Sequence, residues 1–138
     1  NLSEVDEKLD QKIKKVTGDE LEISNKGIYE TALIWGSLDI YLSDKKFSKV
    51  EQEEFANRFG KKANKAISLL KMSSARDMLD KKIDVSFSEA SKLLKTEKNR
   101  LVEELKTVGK ETGGDKMKKL KILGKLLNIL GIKKPISF

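Results

Sequence analysis

Asp39 stands where a carboxylate is out of place. Set out at 100° per residue, the stretch 28–42 puts it on the same side as Ile28, Ala32, Trp35 and Leu42. A carboxylate among apolar side chains costs free energy unless it is paired, hydrogen-bonded or bound to a metal. Three roles fit: an ion pair with a lysine, a cap on a neighbouring helix N-terminus, or an oxygen ligand to a hard cation. Composition narrows the rest of the chemistry. There is no His and no Cys in 138 residues, which removes Ser-His-Asp and Cys-His mechanisms, the HExxH zinc site and disulfides. Carboxylate, lysine and oxygen-ligand chemistry stay open. In a chain that is 37% charged, other pairs of acids on helices read as solvated surface, and none suggests acid–base catalysis.

Two loop motifs are tested and set aside. Taken as an EF-hand, the loop opening at Asp44 would have Lys46 at its third position, Lys49 in place of the sixth-position Gly and Phe55 in place of the final Glu. The Gly-rich run GKETGG (109–114) does not match GxxxxGK[ST], and it follows a helical pattern rather than a strand.

The element that must position Asp39 is the helix read over 28–42. It belongs to a stretch, 28–59, that holds the only Trp, both Tyr and three of the five Phe. Leu33, Ile34, Ile40 and Tyr41 spread round the sides that the Ile28–Leu42 stripe leaves open, so almost no polar face remains. A helix apolar nearly all round is expected at the centre of a bundle. Trp35, one turn from Asp39, is expected to be buried beside it. The helix ends in Ser43-Asp44-Lys45-Lys46. A second begins at Ser48, where Glu51 three residues on completes a capping-box pattern.

Around this pair the chain reads as helical throughout. With 38% hydrophobic residues and one Pro, it fits a single all-α domain, a compact bundle of about six or seven helices. Residues 1–18 read as an outer amphipathic helix with the thin stripe Val5, Leu9, Ile13 and Val16, ended by Gly18. Residues 20–24 alternate too briefly for a strand and read as a connector. Core helices occupy 28–108. Gly60 separates the second helix from one carrying Ala63, Ala66, Ile67 and Leu70. A short helix capped by Ser74 follows. Ser86 with Glu89 repeats the capping-box pattern and predicts a break there, followed by a long helix with Phe87, Ala90, Leu93, Leu94, Leu101, Leu105 and Val108 inward. The segment 109–115 is a Gly-rich hinge, and 116–131 a basic amphipathic helix closed by Gly131.

The residues around Asp44 carry a resemblance. An apolar helix, the turn Ser43-Asp44-Lys45-Lys46-Phe47-Ser48, and a capped helix Val50-Glu51-Gln52-Glu53-Glu54-Phe55 resemble the TerB (tellurite-resistance) superfamily over about 35 of the 138 residues. Lys45 stands where that pattern has Gly. The resemblance implies an all-helical, usually non-catalytic domain of a bacterial stress-response or envelope-associated system. It also implies, for some members, an acidic metal site. Here the oxygen-ligand set would be Asp39 and Asp44 with Glu51 or Glu54, taking Ca2+ or Mg2+.

Charge is unevenly spread. Residues 1–60 carry 9 basic against 13 acidic side chains, a net of −4. Residues 61–109 carry 12 against 7, net +5, and residues 110–138 carry 8 against 2, net +6. In the last helix Lys118, Lys121 and Lys125 line one side, Leu126 and Leu130 lie in a wide apolar arc, and Lys119 falls inside that arc. The first reading of this helix is core. The second is an interfacial element that lays Leu126, Leu130 and these lysines, Lys119 included, against an anionic membrane or a partner groove. The expected function is therefore a non-catalytic interaction or assembly domain, not an enzyme. A membrane-surface-binding protein is the alternative, and a metal-dependent sensor or enzyme using Asp39 and Asp44 comes after that. Expected partners are a protein or the rest of a longer chain; the sequence opens on Asn, which is expected either where a leader has been removed or where the chain is a piece of a longer protein. Nucleic acid is not expected, because no aromatics interleave with the lysines. No 18-residue apolar run exists, so the expected location is cytoplasmic, with membrane association as the variant.

Overall fold

The computed structural model describes residues 18–44, 47–71 and 75–133. The helix expected over residues 1–18 therefore lies, apart from Gly18, outside the described residues. Six α-helices are present among them: α1 Gly18–Tyr41, α2 Lys49–Phe59, α3 Lys61–Leu69, α4 Ala75–Ala90, α5 Lys95–Glu111 and α6 Lys116–Leu130. A 3-10 turn, Leu42–Asp44, follows α1. No strand occurs among the described residues. The chain is an all-α bundle.

Several boundaries differ from the sequence reading, each for a physical reason. Residues 20–24 are helical rather than a connector, and the stop expected at Gly18 borders residues outside those described. Extending a formed helix adds a hydrogen bond for each residue fixed, so a five-residue alternation does not interrupt it. No break occurs at Ser86. Its hydroxyl donates to the Ile83 carbonyl inside a continuous α4, because Leu79, Ile83, Phe87 and Ala90 form one buried stripe across the expected boundary. The chain turns instead at 91–94, where the Leu93 amide donates to Ala90. Leu94 becomes the N-cap residue of α5 and is 67% exposed, not inward. Residues 109–111 belong to α5, which shortens the hinge to 112–115.

The predicted caps at the ends of α2 and α6 are present. The Glu51 amide donates to Ser48 Oγ at 3.1 Å and the Ser48 amide to Glu51 Oε1 at 3.2 Å, a reciprocal capping box. Asp115, read from the sequence only as the end of the hinge, accepts from the Met117 amide at 2.8 Å and starts α6. At its other end Gly131 takes a left-handed φ of 77°, and the Ile132 amide reaches back to the Leu127 carbonyl at 2.9 Å.

Helix α1 packs against each of the other five helices. From Ala32 to Tyr41 only Leu33 and Trp35 keep partial exposure, so Trp35 is half-buried rather than enclosed. Tyr41, Phe47, Phe55 and Phe59 stack in tilted and edge-on pairs with centroids 5.0–6.0 Å apart, which fastens α2 to the end of α1. At Gly36 the α1 backbone lies tight against side chains of α4 and α5. A Cβ there would lie 2.7 Å from Phe87 Cζ and 3.0 Å from Leu105 Cδ2. Gly124, in the middle of α6, faces open space.

Two identical substitutions therefore have opposite expected effects. Gly124→Ala should stabilise by about 0.5–1 kcal/mol through helix propensity alone. Gly36→Ala should destabilise by about 1–3 kcal/mol, because two large side chains must move. Urea midpoints of the two variants check this, and a Gly36→Ala protein at least as stable as Gly124→Ala would contradict the packing.

Candidate functional site

The carboxylate of Asp39 is buried, 1% exposed, where α1, α4 and α6 meet. Its Oδ1 accepts from both Nη1 and Nη2 of Arg76 at 3.3 Å, and its Oδ2 from Lys125 Nζ at 2.9 Å. Arg76 also pairs with Asp80, one turn along α4, at 2.8 Å. The two cations reach in from the surface, their side chains 57% and 43% exposed. Both side chains are long enough to reach the buried carboxylate while remaining partly in water. Among the roles open to Asp39, the geometry is that of an ion pair.

Of the other acids of the candidate metal set, Glu51 and Glu54 do not gather round it. Glu51 is committed to the Ser48 capping box. Glu54 is exposed and lines a shallow depression of about 480 Å3 with Asn57, Arg58 and Glu111. Asp44 ends the 3-10 turn, and its side chain lies outside what the structure describes. Among the described residues, no three acidic side chains come close enough to hold a metal ion. Both oxygens of Asp39 face cations, which would repel Ca2+ or Mg2+.

Lysines close the helix ends. Lys119 is buried, and its ammonium donates to the carbonyls of Gly109, at 2.9 Å, and Thr112. The C-terminus of α5 is thus capped by a cation placed at its negative end. Lys98 does the same for two helices at once, donating to Ser91 O beyond α4 and to Leu130 O of α6, both at 3.3 Å. Leu126 and Leu130 are buried with Leu123 and Leu127. Of the residues read as membrane- or partner-facing, Lys118, Lys121 and Lys125 are on the surface, while Lys119, Leu126 and Leu130 are inside.

Sequence reasoning missed Arg76 and Lys98. One is 37 residues from its acid and the other 32 residues from the α6 carbonyl it caps. No local pattern announces either. The misplaced-looking Lys119, inside an apolar arc, was the one readable sign of such a cap.

A second polar cluster sits between α1 and α5. Tyr29 donates its hydroxyl to Glu104 Oε2, and the Arg100 guanidinium lies 4.6 Å from the centre of its ring. Burial, reinforced by the Glu104 carboxylate, pushes the Tyr29 phenol up to about 12. Burial also raises Tyr41. Nearby, Arg58 on α2 pairs with Glu111 on α5. Burial opposes its charge, but Glu111 and Tyr41 outweigh that and raise it. A hollow of about 370 Å3 between these helices has Leu33, Phe59 and Val108 among its lining residues. Its charged lining residues are engaged: Glu30 by Lys62 at 3.0 Å, Glu104 by Tyr29, and Arg58 by Glu111.

The Tyr29 shift carries a pH dependence. The folded state holds the phenol proton more tightly than the unfolded chain, whose tyrosines titrate near 10. Its contribution to stability is complete below that value and is lost as pH rises through about 12. Absorbance at 295 nm should show no tyrosine titrating near 10 in the folded protein, and both doing so in urea. The fall in stability above pH 10 should be smaller in Tyr29→Phe. A folded-state phenol titrating at its ordinary value would overturn the Tyr29–Glu104 assignment.

Compared with known proteins, the chain matches no family model, no curated protein and no solved structure. Among the described residues no helix is long and apolar enough to cross a membrane.

Proposed function

We propose that the chain is a non-catalytic helical interaction domain that works by presenting a surface. It would be TerB-like around residues 43–55 and would serve a bacterial stress-response or envelope-associated assembly. The observation that carries this reading is the solvent face of α6. Its exposed positions are Lys116, Met117, Lys118, Lys121, Gly124, Lys125 and Asn128, without one acid. Lys118 and Lys121 are like-charged neighbours one turn apart, a pair that costs about 0.2–0.5 kcal/mol. Gly124 costs about a further 1 kcal/mol against alanine, with no neighbour to require it. Helix α5, by contrast, mixes signs and pairs Lys106 with Glu103 at 3.6 Å. Local choices that lower stability without an internal gain mark surfaces kept for another purpose. The deeply buried charges, Asp39 and Lys119, serve to hold helices together.

The test is whether that face is dispensable for folding. Lys118→Gln with Lys121→Gln should melt no lower than the unaltered protein, and adding Gly124→Ala should raise the melting temperature by about 2–8 °C. A variant that melts clearly lower would make the face structural and remove this reading.

A further inference from the structure

The junction of α5 and α6 has a second property, carried by Met117. It is 63% exposed, an apolar side chain left standing in the first turn of α6. Lys116 and Lys118 flank it in sequence, and Lys121 follows one turn on along the same face. Lys110 comes from the end of α5, sharing with Lys116 a hollow of about 280 Å3. All four lysines are exposed. The nearby acids are already used: Asp115 accepts from the Met117 amide, and Glu111 pairs with Arg58. Before Met117 the chain passes through Gly113 and Gly114, both exposed and without side chains. Lys125 and Arg76 share Asp39 and add little free charge.

We propose that this tip, Met117 with Lys116, Lys118 and Lys121 in the first turns of α6 and Lys110 at the end of α5, docks on an anionic bilayer surface, a proposal that rests on the surface-presenting reading above. The ammonium groups meet lipid phosphates and carboxylates, and the thioether enters the boundary between headgroups and acyl chains. The chemistry differs from laying the apolar arc of α6 on a membrane, because that arc is occupied by the core. It also differs from gripping a nucleic-acid backbone, to which an exposed methionine contributes nothing.

The experiment is co-sedimentation of the full chain with vesicles of phosphatidylcholine, alone or with about a third phosphatidylserine. Binding is expected only to the anionic vesicles and should weaken as salt rises. Lys116→Gln, Lys118→Gln and Lys121→Gln together should lower the partition constant about a hundredfold, roughly fivefold for each lysine. Met117→Ser should lower it severalfold with the salt dependence unchanged. Equal binding to neutral and anionic vesicles, or no loss in the triple variant, overturns the proposal. So does tight binding to a DNA duplex that Met117→Ser leaves untouched, which would make the tip a phosphate-backbone site. A thermal melt accompanies each variant. An unchanged melt without vesicle preference defeats the membrane proposal alone, whereas a lowered melt in the triple variant defeats the surface reading beneath it.

Discussion

Replacing both Arg76 and Lys125 by methionine is expected to cost the fold about 3–5 kcal/mol, while either replacement alone costs about 1 kcal/mol. The asymmetry follows from where the charges sit. Asp39 is 1% exposed and cannot reach water, whereas its two partners are half-exposed and can. With one cation gone, the other still neutralises the carboxylate. With both gone, a buried charge is left uncompensated. Asp39→Asn, added to the double variant, should return at least half of the loss, since the amide carries no charge to bury. Chemical denaturation of the unaltered protein, the two single variants and the double forms a cycle that separates coupling from simple addition, with the Asp39→Asn variant measured beside it. A double variant no worse than the sum of the singles, or one that Asp39→Asn fails to rescue, would show that the ion pair does not hold α1, α4 and α6 together.

The same residue shows how far the sequence could be read. Helical angle alone puts Asp39 on an apolar face, and the structure finds it buried. The identity of its partners was not readable, because Arg76 and Lys125 lie 37 and 86 residues away and are brought in by packing. The acids suggested as its companions are close in sequence, but Glu51 is consumed by its own cap and Glu54 points to solvent. Boundaries were legible where a terminator had no competitor. The Ser48–Glu51 box, Gly60 and Gly131 mark real helix ends. The identical pattern at Ser86–Glu89 marks none, since a buried stripe already runs through it and outweighs a cap. For α6 the wide apolar arc was readable, and so was the oddity of Lys119. What settled their meaning was tertiary: the Gly109 and Thr112 carbonyls that receive the ammonium.

The central claim is that α6 closes the core with its apolar arc and offers solvent its basic face. A chain ending at Thr112 tests it most directly. Removal of α6 strips Leu123, Leu126, Leu127 and Leu130 from the interior. Each contributes roughly 2–3 kcal/mol of transfer free energy, against a total stability of about 5–15 kcal/mol. It also takes Lys125 from Asp39 and Lys119 from the end of α5. Circular dichroism at 222 nm during heating is the measurement, with the full chain alongside. The shortened chain should lose far more helix than the removed segment contains and melt without a cooperative transition. A shortened chain that keeps the remaining helices and melts cooperatively at the temperature of the full protein would contradict the claim.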